Sequence, residues 1–178
     1  MKIDLRRRLL SQFIITSPIQ TWLGSSIGHA QSSSSSQQPE PLLPSPKFRE
    51  IGLWGLDQIN HIIQSKIPAF SGIQLSNLSA RYPVRLYVVE YSSTFPEQNN
   101  RPLRLSGLMA IPETGEKQFP IVSYQHGTTF FRHEAPSHPE HSPETETMIA
   151  LCASQGYVLI AADYIGKGIS KEQQAFFS

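Results

Sequence analysis

Two short apolar runs on either side of a helix-like segment constrain the fold of this chain most strongly. Residues 119–124 begin Phe-Pro-Ile-Val, and residues 157–162 read Tyr-Val-Leu-Ile-Ala-Ala. The second run is uninterrupted, which is typical of a central strand that is covered on both faces. A strand–helix–strand unit within one sheet requires its two strands to be parallel, so the sequence predicts an α/β fold.

The segment between these two strands has the signals of a helix. Ser142 is a suitable N-cap and Pro143 a suitable first-turn residue, while Gly156 is a natural C-terminal stop. The apolar face of this helix includes Cys152, which we therefore interpret as a small buried apolar residue and not as a nucleophile.

An antiparallel hairpin is predicted before the parallel unit. Residues 84–91 contain β-branched side chains and alternate between two faces, and residues 104–111 are predicted to form the second strand. The polar segment 92–102 holds two prolines and an Asn-Asn pair, which favours a loop between the two strands.

Residues 48–65 are predicted to form a helix that ends before Pro68. The prediction rests on apolar residues at close to helical spacing, and we expect Trp54 among them to be a core residue. These residues are Ile51, Trp54, Ile59, Ile62 and Ile63.

The N-terminal region has the pattern of an export signal followed by a linker. Residues 1–30 begin with Lys2 and three arginines, continue with a moderately apolar stretch and end in small residues. The arginines are compatible with a twin-arginine signal, and the alternative is an amphipathic or disordered basic terminus. Residues 31–47 are a Ser/Gln-rich and then Pro-rich linker. We therefore expect a periplasmic or extracellular protein whose folded domain occupies residues 48–178.

Charge and cysteine content exclude several classes of protein. The 178 residues carry a net charge of +1 and only 16 % charged residues, so no basic field for nucleic acid is present. The single cysteine excludes an internal disulfide and a cysteine-based zinc cluster. No apolar run reaches the roughly 18 residues that a membrane span needs, so we expect no stable span.

Two motifs carry a resemblance to a known family. The first, residues 123–129, reads Ser-Tyr-Gln-His-Gly-Thr-Thr and follows the third predicted strand. The second, residues 163–170, reads Asp-Tyr-Ile-Gly-Lys-Gly-Ile-Ser and follows the fourth. Their order and spacing resemble the N-terminal half of the α/β-hydrolases, and secreted bacterial lipases and esterases of the secretory-lipase type in particular. The resemblance covers residues 82–170, about half of the chain.

This resemblance implies an ester hydrolase that works through an acyl-serine intermediate without a cofactor. Its substrate would be a small ester or a lipid, once a C-terminal half completes the fold. Gly127 and Thr128 match the loop that supplies backbone N–H donors to the oxyanion. His126 matches a structural position. Asp163 matches an aspartate that caps the Gly166 and Gly168 turn; the alternative role is the acid of a catalytic triad.

The catalytic nucleophile is not found in this sequence. No Gly-x-Ser-x-Gly occurs, and the two near matches, residues 152–156 and 168–172, lack a required glycine and the strand–turn–helix context. By resemblance the nucleophile, the triad acid and the triad histidine would all lie downstream. The competing hypothesis is a catalytically inactive truncated remnant, or a non-enzymatic binding module that uses the exposed sheet edge.

A cluster of histidines and glutamates raises the question of a metal site. Imidazole and carboxylate groups suit Zn²⁺, but three interspersed prolines prevent the cluster from forming one helical face. We therefore interpret it as a solvated loop over the mouth of the site and expect no metal. The cluster comprises His133, Glu134, His138, Glu140 and His141.

Overall fold

The structure, a computed structural model, describes residues 45–173. The predicted export signal and residues 31–44 of the predicted linker lie outside this range. Lys47, the last residue assigned to the linker, begins the first strand. Within residues 45–173, no helix has both the length and the apolar character needed to cross a membrane.

In the described part of the chain, five strands form one mixed sheet in the order β1-β2-β3-β5-β4. The first three strands and β5 pair in antiparallel fashion, whereas β4 and β5 are parallel. The predicted α/β class, with an antiparallel hairpin followed by a parallel unit, is therefore confirmed. The strands are β1 (Lys47–Trp54), β2 (Val84–Phe95), β3 (Arg101–Pro112), β4 (Ile121–Tyr124) and β5 (Val158–Ala162).

The helix predicted over residues 48–65 is wrong in its first half, because residues 47–54 form β1. This strand pairs with β2, and its register shifts between Glu50 and Gly52. Such a bulge inserts one extra residue and changes which side chains share a face. Ile51 and Trp54 therefore both pack against the main core although they lie three residues apart. The three-residue spacing of Ile51 and Trp54, which is compatible with a helix, thus arises here from a bulged strand.

The helical region begins after β1 and continues past Pro68. It consists of α1 (Leu56–His61), a π-helical turn (Ile62–Lys66) and α2 (Ile67–Ser71). Pro68 lies at the start of α2, where its missing N–H is least costly, and the wider π turn precedes it. Gly72 in the left-handed conformation ends the region, so the expected stop at Pro68 is wrong.

The hairpin is longer than the sequence indicated. β2 and β3 pair without interruption from Val84 opposite Pro112 to Phe95 opposite Arg101. Asn99 and Asn100 both adopt positive φ angles of 55° and 56° in the connection, which is typical of tight turns between strands that carry the natural twist. The loop predicted over residues 92–102 is therefore confined to residues 96–100, because residues 92–95 extend β2 and residues 101–102 begin β3.

The connection between β4 and β5 contains α3 (Pro143–Leu151). Ser142 caps it as predicted, since its hydroxyl accepts the N–H of Thr145 at 3.3 Å. Ile149 and Ala150 are fully buried against the sheet. Cys152 is half-buried beside the same core, and burial raises the pKa of its thiol, which disfavours the nucleophilic thiolate.

Candidate functional site

The two segments that follow the parallel strands lie at one edge of the sheet. We call residues 125–142 the β4 loop and residues 163–170 the β5 turn. Because β4 and β5 are parallel neighbours, their carboxyl ends meet, and this is the edge at which open α/β sheets place ligands. All the residues singled out by the resemblance therefore lie in adjacent segments.

His126 is a packing residue in this arrangement. Its side chain is buried, and its ring stacks on Tyr164 with the ring centroids 4.2 Å apart. Its Nδ1 lies 2.7 Å from the carbonyl oxygen of Gly127, so Nδ1 must carry the proton and donate. Nε2 is buried with no hydrogen-bond partner among residues 45–173. These contacts fix the ring between the β4 loop and the β5 turn.

Tyr164 reinforces this packing at a cost in backbone strain. It has a positive φ of 67°, which is uncommon for a residue with a bulky side chain. Its hydroxyl donates a hydrogen bond to Gln125 Oε1 at 3.0 Å. The strained backbone therefore persists because both the ring and the hydroxyl of Tyr164 are held by the β4 loop.

The two candidate oxyanion donors differ in their surroundings. The Gly127 N–H donates to both carboxylate oxygens of Glu144, at 3.3 and 3.4 Å. Glu144 lies in the first turn of α3. For Thr128 the structure records no hydrogen bond of the N–H with any of residues 45–173. Sequence reasoning missed Glu144, whose only local signal was an acidic residue at a helix start.

Asp163 has partners other than those expected for the cap of a turn. It is fully buried, and its Oδ1 accepts the backbone N–H of Ser137 at 2.8 Å. Its Oδ2 accepts the hydroxyl of Ser106 from β3. Asp163 therefore joins the β5 turn to the β4 loop and to the sheet.

The N–H groups of the β5 turn are accepted by two serines. The Gly166 N–H donates to Ser170 Oγ at 3.1 Å, and the Ile169 N–H donates to Ser106 Oγ at 3.0 Å. The expectation that the Asp163 carboxylate itself accepts these N–H groups is corrected. Ser106 instead links the Asp163 carboxylate to the Ile169 N–H, because its hydroxyl donates to Asp163 and accepts from Ile169.

Two basic side chains, one from the β4 loop and one from the β5 turn, each bind carbonyl groups of the other segment. Lys167 is buried in the β5 turn, and its Nζ donates to the carbonyl oxygens of Thr129 at 2.7 Å and Phe131 at 3.3 Å. Arg132 in the β4 loop donates to the carbonyl oxygens of Gly168 and Ser170. Burial lowers the pKa of Lys167, although Glu134 partly opposes the effect. No pattern in the sequence predicts either contact.

Glu134 orders the middle of the β4 loop. Its carboxylate accepts the backbone N–H groups of Phe130 and Phe131, both at 3.0 Å. The hydrogen bond from Phe131 is the main reason why the pKa of Glu134 is lowered. Phe130 and Phe131 are 80 % and 60 % exposed, so the loop presents an apolar surface within four residues of Gly127.

The serines of the two near matches are not placed to attack a substrate. Ser154 is fully buried and its hydroxyl donates to the carbonyl of Ala150 at 2.6 Å. Ser170 is also buried, and it accepts the Gly166 N–H. A nucleophilic serine needs an exposed hydroxyl with a base in hydrogen-bond reach, and neither has this environment.

A third serine lies beside a histidine and an aspartate but does not form a triad. Ser137 Oγ is 3.2 Å from Nδ1 of His138, its neighbour in the chain. Asp163 accepts the backbone N–H of Ser137, not an N–H of the His138 ring. The aspartate therefore cannot orient the imidazole as a catalytic triad requires.

The histidine cluster makes ring contacts in this structure. His133 stacks on Phe131 with centroids 5.5 Å apart and meets the edge of His141 at 5.6 Å. Among residues 45–173, no three His, Cys, Asp or Glu side chains come together in a way that could hold a metal ion. The competing zinc hypothesis therefore has no ligand set in this part of the chain.

Replacing Tyr124 with phenylalanine should flatten the alkaline limb of the stability curve. Burial, and then the nearby Glu144 carboxylate, raise the pKa of Tyr124 above its ordinary value of 10.0. Above that pH the unfolded chain releases the proton while the folded chain keeps it, so the free energy of unfolding falls as pH rises. Urea unfolding at a series of alkaline pH values measures the slope.

The matched control for this change is Ser123→Ala on the same strand, which removes no ionisable group and should keep the slope of the unchanged chain. If Tyr124→Phe retained the full alkaline slope, the Tyr124 hydroxyl would not be the group responsible.

Comparison with known proteins supports a hydrolase-like fold. No protein-family model and no curated protein sequence matches the chain. Among solved structures, a presumed hydrolase from Legionella pneumophila matches with a TM-score of 0.60 and 27 % identity. The match covers 73 % of this chain and 32 % of that protein.

The rice cell wall degrading esterase LipA from Xanthomonas oryzae also matches. Its N228W mutant gives a TM-score of 0.54 at 24 % identity, over 74 % of this chain and 31 % of the esterase. A further LipA structure gives a TM-score of 0.50 at 25 % identity, over 72 % and 30 % respectively. The chain therefore has a hydrolase-like α/β fold and spans about a third of the length of the solved structures that it matches.

Proposed function

We propose that this chain is the N-terminal part of an exported serine hydrolase that cleaves carboxylic esters through an acyl-serine intermediate. The observation that carries the proposal is the position of Gly127 and Thr128, directly after β4 at the carboxyl edge of the parallel strand pair. An esterase among the structural neighbours favours this reaction class. The secretory-lipase resemblance and the signal-like residues 1–30 favour export.

Ester hydrolysis requires backbone N–H donors that do not have to reorganise when the oxyanion forms. The β4 loop meets this need because buried polar contacts hold it from several directions. Lys167 donates hydrogen bonds to two carbonyl oxygens of this loop, and Asp163 accepts the N–H of Ser137. Nothing in this reaction calls for a metal or a cofactor.

The exposed apolar surface of the β4 loop favours an apolar substrate. Phe130 and Phe131 lie three and four residues beyond Gly127 and are mostly exposed. Exposed apolar patches often mark ligand or partner sites. We propose that the acyl or alcohol part of a small ester or lipid contacts these rings.

The nucleophile, the triad acid and the triad histidine would come from sequence beyond Ser178. Within residues 45–173, β4 pairs with β5 alone, and its Ile121 side chain is 44 % exposed. An unpaired strand edge is a template for another strand. We propose that the next strand of the whole protein pairs here and ends in the nucleophile turn close to Gly127.

The test begins by sequencing the gene across codon 178 and beyond. We expect a strand-like segment followed by Gly-x-Ser-x-Gly, and later an aspartate and a histidine. The complete protein should hydrolyse p-nitrophenyl butyrate, and replacing the motif serine with alanine should reduce kcat by about 10⁴-fold or more. The matched control replaces Ser154, which is buried, with alanine and should leave most of the activity.

The opposite result would favour the competing hypothesis. If the gene ends at codon 178 and no downstream frame carries the motif, the chain is an inactive remnant or a binding module. Serine-dependent turnover by the 178-residue chain itself would contradict our assignment of the nucleophile to downstream sequence.

A further inference from the structure

The Gly127 N–H points at the carboxylate of Glu144. Both of its oxygens lie within hydrogen-bond range of this nitrogen, at 3.3 and 3.4 Å. Glu144 also helps to raise the pKa values of Tyr124 and Tyr164. Its negative charge therefore acts on side chains from the end of β4 and from the β5 turn, as well as on the β4 loop.

A carboxylate oxygen has the charge and hydrogen-bonding character of the oxyanion that forms during acyl transfer. Donors that stabilise an oxyanion typically lie about 2.7–3.1 Å from it. The contacts of Glu144 with Gly127 are longer, so each is weaker than a well-formed charged hydrogen bond. A contact of this length holds the N–H in position and still yields to an oxygen that fits more closely.

We propose that Glu144 is a positioning residue for the Gly127 donor. Its carboxylate holds the Gly127 N–H while no substrate is bound, and the negatively charged oxygen of the reacting ester replaces it. Since two like charges at one N–H repel each other, the carboxylate must move away when the oxyanion forms. This inference rests on the proposed function, because it takes Gly127 as an oxyanion donor.

Several other titratable groups surround this contact. Tyr124 faces Glu144 from β4 and Tyr164 from the β5 turn, and His126 stacks on the Tyr164 ring. Further along α3, Glu146 forms an ion pair with Lys66 of the π turn at 2.5 Å. Glu146 is thus a matched control, a glutamate of the same helical turn whose carboxylate binds a lysine and not the loop.

The test is a pH titration of the isotope-labelled 178-residue chain by NMR. The Gly127 amide proton and the Glu144 side-chain carboxyl carbon are followed as the pH is lowered. We expect the Gly127 proton to move upfield with the same midpoint as the Glu144 carboxyl carbon, because protonation weakens the carboxylate as an acceptor. Glu144→Gln should abolish this movement, and Glu146→Gln should preserve it.

The proposal is overturned if the Gly127 proton does not follow the Glu144 carboxyl carbon, or if the movement persists in Glu144→Gln. The unchanged chain supplies the decisive titration, so a variant that fails to fold does not leave the question open. The result is also independent of ester hydrolysis. A coupled titration in a chain whose complete protein proves inactive would uphold the contact and reject the hydrolase proposal.

Discussion

Replacing Gly168 with alanine is expected to destabilise the folded chain by about 3 kcal/mol or more. Gly168 has a φ of +51°, in the left-handed region that a side chain rarely adopts. A Cβ atom at this position would lie 2.1 Å from Asp163 Oδ2 and 2.2 Å from Ser106 Oγ. The two buried groups would have to move apart and give up their hydrogen bond. Urea unfolding monitored by circular dichroism measures the loss.

Gly115→Ala is the control for this prediction. A Cβ atom at Gly115 would meet nothing within 4 Å. We expect its effect on the free energy of unfolding to stay within about 0.5 kcal/mol, as for most exposed positions. A Gly168→Ala chain as stable as the Gly115→Ala chain would show that the β5 turn is not packed as described.

Asp163→Ala should reduce the free energy of unfolding by about 2–5 kcal/mol. The substitution removes a fully buried carboxylate and leaves the Ser137 N–H and the Ser106 hydroxyl without their acceptor. Each buried donor that loses its partner costs about 1–3 kcal/mol. Urea unfolding measures the total, and hydrogen exchange of the Ser137 amide should become faster because its acceptor is gone.

Ser137→Ala separates the backbone contact from the side chain. Ser137 binds Asp163 through its N–H, which alanine retains, so the substitution should cost less than about 1 kcal/mol. If Ser137→Ala lowered the free energy of unfolding as much as Asp163→Ala, the link between the β4 loop and the β5 turn would not depend on the backbone hydrogen bond of Ser137.

The parallel unit could be predicted because its signals are local. Ser142 caps α3 through a residue three positions away, and the apolar composition of β5 follows from cover on both faces. The hairpin was predictable for the same reason, although its far end was not. There the polar residues beyond Tyr91 join the strand because β3 offers each of them a partner.

β1 shows where local signals fail. A spacing of three residues between Ile51 and Trp54 is compatible with a helix and with a bulged strand. The choice depends on β2, whose paired residues lie 30 to 43 positions further along the chain and supply the hydrogen bonds. Nothing within residues 47–54 contains that information.

The candidate site also has one part that local signals predict and one part that they do not. The sequence by itself determined that Gly127 and Asp163 follow two parallel strands of one sheet, because a helical crossover between the strands requires that orientation. Only the tertiary structure decided which groups contact them. Glu144 meets Gly127 across 17 residues, Ser137 meets Asp163 across 26, and Lys167 meets Thr129 across 38. Such partners are chosen by how buried donors and acceptors can be satisfied in the folded chain, and a short motif does not encode that choice.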